Sequence, residues 1–365
     1  MAVTGTYTIA DLLSNRDAAE SRIIDYGVEN LVQPLTDALA AHNAQVQNML
    51  GDLVAPTTER TGTYGVEQDA NMEEVDEFGE VRTQKAQARG KVAWPMRKRQ
   101  IATGWTRDYF IRSTVSDMIE KQLLMQRGHV NALRRGIRDT LFGPTNFTAV
   151  ERFATEAVGE TLAVKRLLNA DGDPIPINRN ALSFNGATHT HYVATASTSG
   201  AGLNTALIAL VDNVVEHDHG GALRIYINRA QEAVVKTLTD FAPYVEAGII
   251  PGTANNRADG VLDMSRLDNR AIGRFHGAEV WTKPWMPAEY YFAFDASDAR
   301  KPLRMRIPPE RQLQGLYIDA ETELFLLHAR HMASLFGFGA WTRTNGAILW
   351  ANAGSGGVYT APTFT

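Results

Sequence analysis

Three pairs of histidines are the residues of this chain best placed to do chemistry: His189 and His191, His217 and His219, His328 and His331. On a strand, residues i and i+2 face the same side, so either of the first two pairs could supply two ligands to a metal ion. No carboxylate or further histidine is spaced beside them as a fixed third ligand, and no specific metal site is expected. His217 and His219 precede Gly220-Gly221, where imidazolium at a helix end is favoured by the helix dipole in any case. The stretch Asn169-Ala-Asp171-Gly-Asp173 opens like a calcium loop, but Pro174 stands where glycine is needed and Asn180 where a bidentate glutamate is needed. A polar turn is the expected reading.

Other chemistries lack their signatures. The chain contains no Gly-x-x-x-x-Gly-Lys-Ser/Thr phosphate loop, and Gly337-Phe-Gly339-Ala-Trp-Thr342 lacks the third glycine of a dinucleotide fingerprint. There is no Gly-x-Ser-x-Gly elbow, no Ser-x-x-Lys and no His-Glu-x-x-His helix. With no cysteine, disulfides, thiolate metal sites and cysteine nucleophiles are excluded. No catalytic residue and no cofactor is assigned. The aromatics Trp281, Trp285, Tyr290, Tyr291, Phe292 and Phe294 fall in apolar strand-like segments without interleaved basic residues, which is a core pattern and not that of a single-strand binder.

The whole chain of 365 residues is 44% hydrophobic and 21% charged, within the range of folded globular proteins and long enough for two cores. Its net charge of −5 gives no global grip on nucleic acid or an anionic membrane, so any polyanion contact must be local. The N-terminus lacks a basic and an apolar signal region, and no stretch approaches the roughly 18 apolar residues of a spanning helix. Neither export nor membrane insertion is expected.

Elements must therefore be read from periodicity. After Pro34, the residues Leu35, Leu39, His42, Val46, Met49 and Leu53 recur at helical spacing, and this stripe covers either its own domain or a neighbouring subunit. Pro56 to Tyr109 has no sustained stripe and divides into an acidic block (Glu67 to Glu80) and a basic block (Arg82 to Arg107). It reads as a two-limbed excursion. The longest helix is predicted from Thr114 to Phe142, ending at Gly143-Pro144; Gly128 and Gly136 inside it point to a bend or a close contact. Its polar face carries Lys121, Arg127, Arg134, Arg135 and Arg138. Helices are predicted at Asn204 to Glu216 and Ala230 to Phe241. Strands are predicted at Leu223–Ile227, Ile272–Phe275, Ala278–Thr282 and Tyr290–Asp295. Leu324 to Trp350 reads as two long strands joined around Gly337-Phe-Gly339. The class is α+β, with the two structural units interleaved in sequence.

This order of parts resembles the major capsid protein of tailed bacteriophages. The run Phe336-Gly-Phe-Gly-Ala-Trp-Thr-Arg-Thr-Asn-Gly-Ala-Ile-Leu349 is similar to that family's closing strand. Ile272-Gly-Arg-Phe-His-Gly-Ala-Glu-Val280, with Lys283-Pro-Trp-Met-Pro287 and Tyr290 to Asp295, is similar to its axial-domain stretch. The resemblance implies an N-terminal arm (1–55), an extended loop (56–109), a peripheral domain with a long spine helix (110–202) and an axial domain (203–322). Returning peripheral strands (323–352) and a tail (353–365) complete it.

The implied function is self-assembly into an icosahedral head shell around double-stranded DNA, as a homo-oligomer of pentamers and hexamers and not as an enzyme. The chain would be made in the host bacterial cytoplasm and reside in the virion capsid. The resemblance also implies a portal and a separate scaffolding protein, leaves a decoration protein open, and limits packaged DNA to non-specific contact. Glu73, Glu74, Asp76, Glu77, Arg97, Lys98 and Arg99 are the expected inter-subunit contacts of the loop. Arg127, Arg134, Arg135 and Arg138 are the residues expected to face DNA. The alternatives are the shell of a cargo-enclosing nanocompartment, which shares the fold, and an enzyme without a recognisable motif.

Overall fold

A computed structural model describes residues 13, 15–27, 29–64, 74–75, 77, 79, 90–151, 159–168, 190–217, 219–244, 270–324 and 327–363. The N-terminal part is helical: α1 (Arg16–Glu20), α2 (Ile23–Tyr26) and the 22-residue α3 (Glu29–Leu50). Short strands follow, β1 (Val54–Thr57), β2 (Thr61–Tyr64) and β3 (Gly90–Ala93), then the ten-residue β4 (Arg97–Thr106) and α4 (Arg107–Arg112). The longest helix, α5 (Val115–Phe142, 28 residues), starts at a capping box in which Thr114 and Asp117 each accept from the other's backbone N–H.

Next come the hairpin β5 (Phe147–Glu151) and β6 (Glu160–Val164), then β7 (Tyr192–Thr195), α6 (Gly200–Val215) and β8 (Leu223–Ile227). The remaining elements are α7 (Glu232–Val235), β9 (Phe241–Pro243), β10 (Ala271–Phe275), β11 (Ala278–Thr282), β12 (Tyr290–Asp295), β13 (Leu303–Arg306), β14 (Leu316–Leu324), β15 (Leu327–Ala340) and β16 (Ala347–Ala351). Among the described residues no helix is long and apolar enough to cross a membrane.

Two sheets organise these parts. In the five-stranded sheet β15 is the hub: it pairs antiparallel with β14, with β4 and, through its last residues, with β13, which carries β1 in parallel. The seven-stranded sheet runs in the order β7-β16-β12-β8-β11-β10-β9. Its central strands are buried on both faces, and the period of two decides what each residue meets. Tyr290, Phe292 and Phe294 join Tyr226 in the larger core, with Leu133, Ile137, Leu141 and Phe142 of α5. Tyr291 and Ala293 join Ile225 and Ile227 on the other face, under Leu203, Leu207, Leu210 and Val214 of α6. Helix α5 thus spans from one sheet to the other; 28 residues at ~1.5 Å each give about 40 Å.

Several expectations take a more exact form. Helix α3 covers its own chain: Leu31 and Leu35 pack on Val115, Met118 and Ile119, and Val46 and Leu50 enter the larger core. The glycines of α5 make close contacts, since a Cβ at Gly136 would lie 2.5 Å from the Phe338 ring and one at Gly128 would lie 2.8 Å from Ile101. The predicted helix from Ala230 to Phe241 shortens to a 3-10 turn (Arg229–Gln231) and α7, because the chain must reach the edge strand at Phe241.

Gly337-Phe-Gly339 is no turn but part of one 14-residue strand. A Cβ at Gly337 would sit 1.9 Å from the Pro95 carbonyl oxygen, and one at Gly339 would sit 2.6 Å from the Trp94 ring, so glycine is required by the approach of the chain at 93–96. The final strand also departs from expectation. β16 leaves the β15 sheet and pairs with β12 and β7 in the seven-stranded one.

Candidate assembly interface

Among the described residues, one histidine of the first pair meets one of the second. His191 is buried, shares a hydrogen bond between its Nδ1 and the Gly346 carbonyl at 3.1 Å, and stacks on His217 at 5.0 Å between ring centroids. His219 faces elsewhere, with Nδ1 2.9 Å from Asp298 and Nε2 2.9 Å from the Thr344 hydroxyl. His189 and the calcium-like stretch 169–173 lie outside the described residues, as does the side chain of His328. Among the described residues no group of three or more histidine, aspartate or glutamate side chains could hold a metal ion.

The asparagine of the closing stretch is the centre of a different arrangement. Asn345 is fully buried; its Oδ1 accepts from the Asp295 amide (2.8 Å) and its Nδ2 donates to the Asp295 and Arg300 carbonyls (3.1 and 3.2 Å). The Asp295 carboxylate accepts in turn from Gly221, Ala222 and both the amide and hydroxyl of Ser297. Burial pushes its pKa up, but these donors outweigh that and hold it at about 2. These residues tie three loops together at one end of the seven-stranded sheet.

The root of the predicted extended loop is the most elaborate polar site. β2 and β3 pair as a two-stranded ribbon, Thr61 opposite Ala93 and Tyr64 opposite Gly90. Below it Trp94 is completely buried, donates to the Ala340 carbonyl at 3.3 Å, and lies against Gly62, where a Cβ would come within 2.5 Å of its ring. Glu151, 4% exposed, accepts from the Met96 amide at 2.7 Å and receives Arg306 at 2.9 and 2.8 Å. Arg60 bridges Glu151 at 3.0 Å and Glu160, and Arg304 stacks 3.5 Å from the centre of the Trp341 ring. Ribbon, β5–β6 hairpin and five-stranded sheet are thus tied by one buried carboxylate. Sequence reading missed Glu151 and Arg306, whose partners lie 55 and 155 residues apart in the chain; only the glycines at 62, 337 and 339 signalled that backbone and ring must approach closely there.

The loop residues singled out by charge fall into two groups. Glu74 and Glu77 are exposed; Glu73 and Asp76 lie outside the described residues. Arg97, Lys98 and Arg99 belong to β4, held in register against Phe336, Leu335 and Ser334 of β15, and do not form a free limb. Lys98 pairs with Asp319 at 2.7 Å, Arg99 donates to the Phe336 carbonyl at 3.0 Å and lies 4.2 Å over its ring, and Arg97 is exposed. On α5, Arg127 and Arg135 are exposed, whereas Arg134 and Arg138 are half-buried and Arg138 donates to the Trp285 carbonyl at 2.8 Å. Lys121 sits 3.6 Å over the Tyr109 ring.

No protein-family model and no curated protein matches the chain. Among solved structures, one from Mycobacterium phage Patience superposes over 99% of this chain and 96% of its own, with a TM-score of 0.64 at 18% identity. The chain has the capsid fold of tailed phages. The mature capsid of bacteriophage PhiM1 is similar over 82% of this chain and 86% of its own (TM-score 0.49, 8% identity). The holo-SrpI encapsulin complex from Synechococcus elongatus PCC 7942 is similar over 88% and 90% (TM-score 0.41, 12% identity).

Proposed function

We propose that this chain is a major capsid protein that self-assembles into the icosahedral head shell enclosing the double-stranded DNA of a tailed phage. The observation that carries this reading is the end-to-end superposition on the Patience structure. A closed shell needs one subunit to make several heterologous contacts, and a long loop spreads those contacts over neighbours. The buried Glu151–Arg306 pair supports this by fixing the base of the β2–β3 ribbon, and the described acidic residues Glu74 and Glu77 of the same segment are exposed. Arg97, exposed on β4, and the partly engaged Lys98 and Arg99 offer positive charge to a neighbour's acidic loop. Arg127 and Arg135 are available for non-specific contact with packaged DNA, and Arg134 and Arg138 serve mainly the subunit. Assembly would proceed in the bacterial cytoplasm with a separate scaffolding protein and a portal.

Expression of the chain alone, followed by size-exclusion chromatography and negative-stain microscopy, tests the reading. Closed shells, or rings of five and six, are expected; about 60 copies of a 40.1 kDa chain approach ~2.4 MDa. A chain that stays monomeric both alone and when co-expressed with the scaffolding protein encoded beside it would overturn the proposal.

A further inference from the structure

Helix α3 does not close fully on the molecule. Between its C-terminal half and the body lies a cavity of about 190 Å³, walled by Val46 and Leu50 on the helix, Leu133 on α5, Phe336 on β15, and Met305 and Ile307 at β13. A dry apolar cavity of ~150 Å³ is large enough for a benzene ring, so this space exceeds what a packing defect needs. Most polar groups at its wall are already engaged within the protein. Asn43 exchanges two hydrogen bonds with the backbone of Leu316, at 2.9 and 3.0 Å, and Gln314 donates to the Pro308 carbonyl at 2.9 Å. His129 is held on both ring nitrogens, Nδ1 at 3.0 Å from His42 and Nε2 at 3.1 Å from the Ser334 hydroxyl. Gln47 is exposed at the rim.

Among the described residues the lining contains no carboxylate, lysine or arginine, so none of them compensates the desolvation of a charged ligand. The size admits one or two fused rings, and Gln47 can meet a single polar atom at the mouth. We propose that this cavity is a binding site for a small neutral aromatic molecule, which would bridge the N-terminal helix α3, helix α5 and the five-stranded sheet. Occupancy of such a site stabilises the docked helix by mass action, independently of whether subunits assemble.

Indole and its charged relative indole-3-acetate are suitable probes, used with the full chain in titration calorimetry and thermal unfolding. Saturable indole binding with a rise in Tm is expected, and binding of indole-3-acetate at least tenfold weaker. Val46→Phe, which fills the cavity from the helix, should lose the indole response; Ile307→Phe does the same from the opposite wall should the first variant fail to fold. Absence of saturable binding by the wild-type chain, equal binding of the charged probe, or an unchanged response in a folded filled variant would each overturn the proposal.

Discussion

At the scale of single residues the molecule separates buried ion pairs from exposed ones, and the two should answer mutation differently. Glu151 and Arg306 are 4% and 6% exposed, and Glu151 also satisfies the Met96 amide, so removing its charge strands a guanidinium in the interior. Breaking such a pair from one side costs about 3 kcal/mol or more. Glu151→Gln is therefore expected to lower the denaturant midpoint by an amount equivalent to about 3 kcal/mol, whereas Asp319→Asn, which breaks the exposed pair with Lys98, should leave the midpoint nearly unchanged. Equal effects in equilibrium urea unfolding would contradict this assignment of the ribbon's base. Asn345 is a third kind of residue: it is wholly inside and works through three backbone partners, which no aliphatic replacement could satisfy.

At the scale of elements, α3 and α5 meet through His42 and His129. Burial, with the neighbouring His42 adding to it, lowers the pKa of His129 from 6.5 to about 4, and burial lowers that of His42 as well. Between these values the unfolded chain takes up a proton that the folded His129 refuses, so stability falls as pH drops from 6.5 toward 4. The contribution lost is on the order of 3 kcal/mol at most. His129→Gln should remove this part of the pH dependence, visible as a smaller difference in unfolding free energy between pH 7 and pH 4.5 than in the wild-type chain. An unchanged difference would mean that the histidines do not titrate as the contact requires.

Helix α5 supplies a second test. In an exposed helix Gly→Ala gains about 1 kcal/mol, but at Gly136 the new Cβ would come within 2.5 Å of the Phe338 ring. Gly136→Ala is expected to lower the Tm, and a raised Tm would show that helix and strand separate more easily than their packing implies.

At the scale of the whole molecule, the proposed shell reading gives the charge division of residues 56–109 a part in assembly and not in folding. Reversing Glu73, Glu74 and Glu77 to lysine should leave circular dichroism and Tm of the subunit unchanged, because the two of them described, Glu74 and Glu77, are exposed. It should sharply reduce the yield of shells in size-exclusion chromatography, with the loss growing as salt is lowered, since rim charges act through register and encounter more than through affinity. A normal particle yield would remove these residues from the interface. On the proposed reading the slight excess of acidic over basic residues suits a container as well, because a strongly basic wall would hold DNA against packaging and release.

What was legible in the sequence was what local physics controls. The stripe from Val115 to Leu141 and the Gly143-Pro144 stop specify α5 nearly to the residue, and β8, β11 and β12 carry their bounds in apolar runs set off by glycine and proline. The resemblance to tailed-phage capsid proteins rested on the order of such elements, and order is a property of the chain. The partners of each element were not legible. β16 carries the same apolar signature as β15, and only the seven-stranded sheet, with β12 and β7 offering edges on either side, decides where it pairs. The glycines at 337 and 339 read as a turn because a local rule cannot see Pro95 and Trp94 arriving from more than 200 residues away. Glu151 and Arg306 carry no motif at all, and Asn345 was legible only as part of the closing run. Their importance comes from burial and from partners distant in sequence, and burial is decided only when the sheets close over them.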